Sequence, residues 1–283
     1  MQKLVGFLKL FRINRTIMVA AITGTGACAS NASGRLSLLM TLAGFLLATG
    51  GFSLDFVADR HLDMTGPRSK HRFNPVAEGS ISPAFGTVFS LLFIAASFVL
   101  LLLISPFSLI PWFVTVAVIG GLALHWYEGA ISRAFTLGFL QGLYTLMGGL
   151  SGKLTLGVLL LSAMFFFAMF GGRAVTDIRD FLQDKNTPVE TFPKRYGVKA
   201  AVFFASVCIC IALAISLLIS LTGEFNRMYL YFDMGFVGLG ILLVVLLAIK
   251  PTPAMAQFLT YAFMMGAGSV ICVAVVLGKM AAR

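Results

Sequence analysis

The sequence predicts an all-α fold: a polytopic membrane bundle of about nine transmembrane helices, two pseudo-repeats of four plus one. Three observations predict it. Of 283 residues, 59 % are hydrophobic and 11 % are charged, whereas a soluble domain is about a quarter charged. The apolar residues fall in runs close to the ~20 that a helix needs to cross hydrocarbon. Two glycine pairs, Gly50-Gly51 and Gly171-Gly172, stand at matching places, each a few residues before an acidic cluster. Residues 1–283 read as a single transmembrane domain, with little length left for a soluble module.

The elements follow in order. The opening MQKLVGFLKLFRINR is an amphipathic stretch carrying Lys3, Lys9, Arg12 and Arg15. It is expected to hug the cytoplasmic interface as a retained lead-in rather than to act as a signal peptide. Spans are expected at 15–31, 36–57, 83–104, 108–126, 135–152, 155–176, 199–221, 229–249 and 254–278. Ser105-Pro106 leaves almost no connection between the third and fourth, so these two form a tight hairpin. Cys28, Cys208, Cys210 and Cys272 all lie in apolar runs, fit no metal spacing and read as small core residues.

Charge orients the bundle. The net charge of +10 does not describe a nucleic-acid binder, because the basic residues occupy short gaps between apolar runs instead of one exposed face. With the N-terminus in the cytoplasm, sixteen of the 21 Lys and Arg fall on the inner side. Arg35, Lys153, Arg227, Lys279 and Arg283 fall on the outer side. That asymmetry selects the orientation and an integral protein of the cytoplasmic membrane. Nine of the eleven acids share the inner side, all but Glu224 and Asp233. The topology rule concerns basic residues, so the acids need another cause.

They form two clusters. LDFVADRHLD spaces Asp55, Asp59 and Asp63 four and four; RAVTDIRDFLQD spaces Asp177, Asp180 and Asp184 three and four. At helical spacing each triplet shares one face, where like charges repel unless a cation offsets them. Carboxylate oxygens are hard ligands suited to Mg²⁺, which takes one or two carboxylates and leaves its other positions to water and phosphate. Arg60, Arg68, Lys70 and Arg72 follow the first cluster, and Arg173, Arg179, Lys194 and Arg195 surround the second. Guanidinium forks suit phosphate oxygens. Acids and arginines at the mouth of an apolar bundle suggest a ligand with a diphosphate head and a lipid tail.

These residues resemble a known family, the UbiA superfamily of intramembrane prenyltransferases, which includes terpene cyclases. DFVADRHLDMTGPRSKHRFNPVAEGSIS is similar to its first motif and TDIRDFLQDKNTPVETFPKRYG to its second. The opening RINRTIMVAA looks like the family's first helix. There are departures. Asp55 stands where the family usually has Asn, Asn74 where the Arg of an Arg-Pro is expected, and Glu78 where Ser is usual. Leu182-Gln183 replaces a common Glu-Gly, and Arg133 is the one basic residue left to serve the diphosphate from the fourth-to-fifth connection.

The resemblance implies an enzyme that ionises an allylic polyprenyl diphosphate and transfers the prenyl group to a hydrophobic acceptor, aromatic or glycerol-phosphate lipid, releasing pyrophosphate. It implies two or more Mg²⁺ held by Asp55, Asp59, Asp63, Asp177, Asp180 and Asp184. Arg60, Arg68, Lys70, Arg72, Arg133, Arg173, Arg179 and Lys194 would bind the diphosphate. Asn14, His125, Tyr127, Phe166 and Phe170 are candidates for the tail or acceptor pocket, and Glu128 for a base. The loops 60–82 and 185–198 would cap the site against water. Membrane lipids are the expected surroundings and nucleic acid no partner. Two alternatives stay open: a terpene cyclase, which needs no acceptor, and a transporter using the acids. The end-of-helix position of the acids disfavours the transporter, whose sites lie near the bilayer midplane.

Overall fold

The computed structural model describes residues 2–65, 73–126, 129–184, 190–262, 266 and 268–280. Every regular element among them is helical. The chain opens with α1 (Gln2–Leu10), α2 (Ile13–Ala29), α3 (Gly34–Ala58) and the short α4 (Arg60–Thr65). It continues through α5 (Pro83–Ile104), a 3₁₀ turn (Pro106–Ser108), α6 (Leu109–Ala123), α7 (Ala130–Gly149) and α8 (Leu156–Asp184). The last elements are α9 (Phe192–Tyr196), α10 (Val198–Leu221), α11 (Arg227–Ile249), α12 (Pro253–Tyr261) and α13 (Gly268–Met280).

Local sequence starts these helices where capping chemistry allows. Ser33 accepts from the Leu36 amide ahead of α3, and Ser82 from the Phe85 amide ahead of α5, whose first residue is Pro83. Asn226 caps α11 through the Met228 amide. The predicted span 83–104 coincides with α5, and the tight hairpin after it is a single 3₁₀ turn. Three spans differ from expectation. The fifth begins at Ala130, which brings Arg133 into the first turn of α7. The sixth continues to Asp184, so the second acidic cluster rides on the helix itself. Over the expected ninth span, 254–278, the described residues form α12 and α13, with Ala262 and Gly266 between them in π-helical conformation.

Six helical stretches are long and apolar enough to cross a membrane: Gly34–Ala58, Pro83–Ile104, Pro106–Ala123, Leu156–Leu182, Val198–Leu221 and Arg227–Ile249. The protein is therefore a membrane-spanning bundle. α2, with 17 residues, and α7, with 20, fill its interior and carry more polar side chains than the outer helices. Burial divides along the same line: α7 buries thirteen of its residues, α11 six, its other faces being left for lipid.

Packing repeats. α3 lies against α2 and α5, and α8 lies against α7 and α10; α2 and α7 join the two halves, while α13 closes against α2 and α11. The joint between α2 and α7 needs glycine. A Cβ on Gly26 would collide with the Thr145 carbonyl and one on Gly148 with the Thr23 carbonyl, so small residues set the approach. The two glycine pairs hold matching seats as well: Gly50 faces Ser90 and Ile94 of α5, and Gly171 faces Ala205 and Cys208 of α10.

Candidate functional site

The ends of α3 and α8 lie within electrostatic reach of two arginines, Arg133 and Arg15. Arg133, in the first turn of α7, interacts electrostatically with Asp55 and Asp59 from one cluster and with Asp177 from the other. Arg15 lies in the combined field of Arg12, Asp55, Arg173 and Arg179. It keeps exposed surface although protein surrounds it, as a group lining a water-accessible cavity does. Asp55, Asp59 and Asp177 and arginines from α2, α7 and α8 are thus within electrostatic reach of one another at one end of the bundle.

In the first cluster the three carboxylates are held differently. Asp55 accepts from Nη1 of Arg12 at 2.7 Å. Arg12 bends the chain between α1 and α2 with a left-handed backbone (φ 41), and its guanidinium lies 3.8 Å from the centre of the Phe56 ring. That stacking and the ion pair fix it against the last turn of α3. Asp59 ends α3 beyond the apolar span. Burial, and then the neighbouring Asp55 and Asp63 charges, push its carboxyl up to about 6, although Arg133 and His125 pull the other way. Asp63, on α4, accepts from the Asn74 side-chain amide at 2.9 Å.

The second cluster is more committed to its own helix. Asp180 takes both hydrogen bonds of the adjacent Arg179, at 2.7 and 2.6 Å. Asp177 is buried, lies 2.9 Å from Arg173 and accepts from the Phe192 backbone amide at 3.2 Å, tying α9 to α8. The Arg173 contact falls on Oδ1 and the amide bond on Oδ2. Asp184 is buried at the end of α8.

The remaining candidates divide. His125 places Nε2 4.0 Å from Asp59, on a left-handed backbone (φ 56), a strained conformation of the kind that gathers at working sites. Arg173 and Arg179 belong to the mouth; Arg60 instead donates to the His61 ring at 3.0 Å. Lys194 is exposed on α9 and Asn14 at the start of α2. Phe166 and Phe170 stack with Phe135 along the α7–α8 seam, and Phe170 continues onto Phe204 at 4.8 Å. Phe166 also lines an apolar groove of about 260 Å³ with Phe139, Leu143 and Leu159. Arg68, Lys70, Arg72, Tyr127 and Glu128, with parts of the loops 60–82 and 185–198, lie outside the described residues. Arg12, Arg15 and Asn74 are the contributors that sequence reasoning missed. It read Arg12 and Arg15 as topology charges and as part of the run that resembles the family's first helix, and noted Asn74 only as a departure.

Among the described residues, no three acidic, His or Cys side chains already converge on one metal-sized point. The donor set nevertheless fits Mg²⁺: hard carboxylate oxygens, few per ion, with an under-compensated half-buried carboxylate at Asp59.

The chain is thus a helical membrane bundle with carboxylates from both clusters and several arginines gathered at one end. The profile of the UbiA prenyltransferase family matches residues 16–271, and the chain belongs to that family of membrane prenyltransferases. A relative, digeranylgeranylglyceryl phosphate synthase of Natronomonas pharaonis, is 27 % identical over 240 residues, which cover 81 % of this chain and 83 % of the relative. A solved structure described as digeranylgeranylglyceryl phosphate synthase in membranes superposes with a TM-score of 0.78 at 24 % identity, covering 99 % of this chain and all of that one. A UbiA homologue from Archaeoglobus fulgidus bound to GPP and Mg²⁺ gives a TM-score of 0.71 at 14 % identity, over 94 % and 99 % of the two chains.

Proposed function

We propose that this prenyltransferase uses Mg²⁺ to ionise an allylic polyprenyl diphosphate and passes the prenyl group to a glycerol-phosphate lipid bearing a free hydroxyl. The single observation that carries the reading is that Arg133 interacts electrostatically with Asp55 and Asp59 of one cluster and with Asp177 of the other. The synthase relative supports the acceptor class, and the homologue bound to GPP and Mg²⁺ supports the donor class. Sixteen inner-side basic residues support a cytoplasmic N-terminus and a cytoplasmic site.

Asp55, Asp59 and Asp63 on one side and Asp177, Asp180 and Asp184 on the other would hold the ions, which supply Lewis-acid stabilisation of the departing diphosphate charge. Arg133, Arg15, Arg173 and Arg179 bind the diphosphate oxygens and fix the allylic carbon below them. The C–O bond breaks with its electron pair leaving on the diphosphate, and the acceptor oxygen forms the new C–O bond and gives up its proton. The cap segments and the apolar walls exclude water, which would otherwise capture the allylic cation as a linear alcohol. His125, beside Asp59, faces the same mouth and is placed to contact headgroup or acceptor.

Purified protein with Mg²⁺ and geranylgeranyl diphosphate tests the reading. With geranylgeranylglyceryl phosphate present, pyrophosphate release and a doubly prenylated ether lipid are expected. A cyclic hydrocarbon formed without acceptor would replace transfer by cyclisation, and full turnover in both Asp59→Asn and Asp180→Asn would sink the diphosphate site altogether.

A further inference from the structure

We propose that Asn74 is a positioning residue of this site: it locks the Asp63 carboxylate to the end of α3 and to the cap segment 74–81, so that carboxylate and cap move as one. The inference rests on the divalent-metal reading above. Asn74 is fully buried and spends all four of its hydrogen-bonding positions. Its Oδ1 accepts from the amides of Val76 and Ala77 at 2.9 and 3.2 Å. Its Nδ2 donates to the Phe56 carbonyl at 2.9 Å and to Asp63 Oδ2 at 2.9 Å. A turn-forming Asn needs only the first pair of bonds. The second pair reaches eighteen residues back to α3 and eleven back to α4, and a turn gives no reason for it.

Charge explains why an amide does this work. Arg12 orients Asp55 and also cancels its charge. Asn74 orients Asp63 with a neutral donor and adds no positive charge beside it. The arrangement fixes direction without competing for the site, which is what an outer partner of a ligating carboxylate provides. The cap held at the other side of Asn74 is itself anchored. Ser80 donates to the Pro75 carbonyl at 3.1 Å, Glu78 meets Lys9 of α1 at 2.8 Å, and Gly6 leaves room for Ser80. α1, the cap and Asp63 are therefore connected in series through one side chain.

Mn²⁺ binding to the full-length protein in detergent, followed by the loss of its free EPR signal, tests the assignment without any turnover. Asn74→Ala is expected to weaken Mn²⁺ binding about tenfold, the effect of losing an outer partner, and the pair Asn74→Ala with Asp63→Asn to bind no more weakly than Asp63→Asn alone. Ser80→Ala loosens the same cap without touching Asp63 and is expected to leave Mn²⁺ binding within about twofold. Unchanged Mn²⁺ affinity in Asn74→Ala, with only a lowered melting temperature, overturns the proposal and leaves Asn74 a structural turn. If Asn74→Ala does not fold, hydrogen exchange decides: Mn²⁺ should slow exchange at Val76 and Ala77 in the parent protein and not in Asp63→Asn. The same slowing in both, or none in either, overturns it. A parent protein that binds no Mn²⁺ fails the metal reading itself, a result distinct from a parent that binds and an Asn74 variant that binds equally.

Discussion

The two acid clusters share a spacing but not a job. At the end of α3, Asp55 is neutralised by Arg12 from another helix, Asp59 is left under-compensated and Asp63 is oriented by an amide. Along α8, Asp180 is clamped by the residue beside it and Asp177 is buried against Arg173. Each cluster also fastens a cap by accepting an amide N–H, from a side chain in one case and from the backbone in the other. In the first, a side-chain amide from the cap donates to Asp63; in the second, Asp177 accepts a backbone amide from α9. The comparison teaches that helical spacing of carboxylates sets a face, whereas their partners decide which oxygen is left for a ligand.

The largest break in that comparison should come at Asp177. Asp177→Ala releases α9 and leaves Arg173 without its buried counter-charge, a loss of about 3 kcal/mol of stability. Thermal unfolding in detergent should show the drop, with pyrophosphate release falling below detection. Arg12→Met should come next. It removes the cation that occupies Asp55, so half-maximal activity should shift to lower Mg²⁺, while turnover falls by about tenfold to a hundredfold for want of a group fixing the first cluster.

A pH series sharpens the contrast between a compensated and an uncompensated carboxylate. The Asp59 carboxyl titrates at about 6 in the folded protein against an ordinary 3.8. The folded state therefore holds more protons than the unfolded state between those values, and stability falls as pH rises through that window. Metal-free parent protein should lose melting temperature from pH 4 to pH 6 relative to Asp59→Asn, and the two curves should run parallel above it. The smallest effect is expected at the half-exposed pair of Lys9 and Glu78, where Lys9→Met should change stability by less than about 1 kcal/mol and respond weakly to salt.

The site was legible in the sequence to an uneven degree. Asp55, Asp59 and Asp63 announced a shared face through their spacing, and Arg133 stood out as the lone basic residue of its connection. Asn74 could not be read in the same way. Its role depends on Phe56 and Asp63 standing beside it after α3, α4 and the cap have folded, and a neutral side chain leaves no mark in a charge count. Phe166 and Phe170 carry a related lesson: the stripe is visible from their four-residue spacing, but its neighbours, Phe135 and Phe204, come from two other helices.

The sequence by itself determined the membrane bundle, because an apolar run of span length has no stable place in water and must satisfy its backbone internally as helix. It also determined the two carboxylate faces, because helical periodicity depends only on neighbours along the chain. The tertiary structure decided the rest. Close glycine contacts between α2 and α7 bring the halves together, so that the ends of α3 and α8 meet at Arg133. Long-range partners then treat the carboxylates differently: Arg12 pairs with the charge of Asp55, and Asn74 holds Asp63 through a neutral amide. Charge compensation depends on distances of a few ångströms between residues far apart in the chain, and only folding sets those distances.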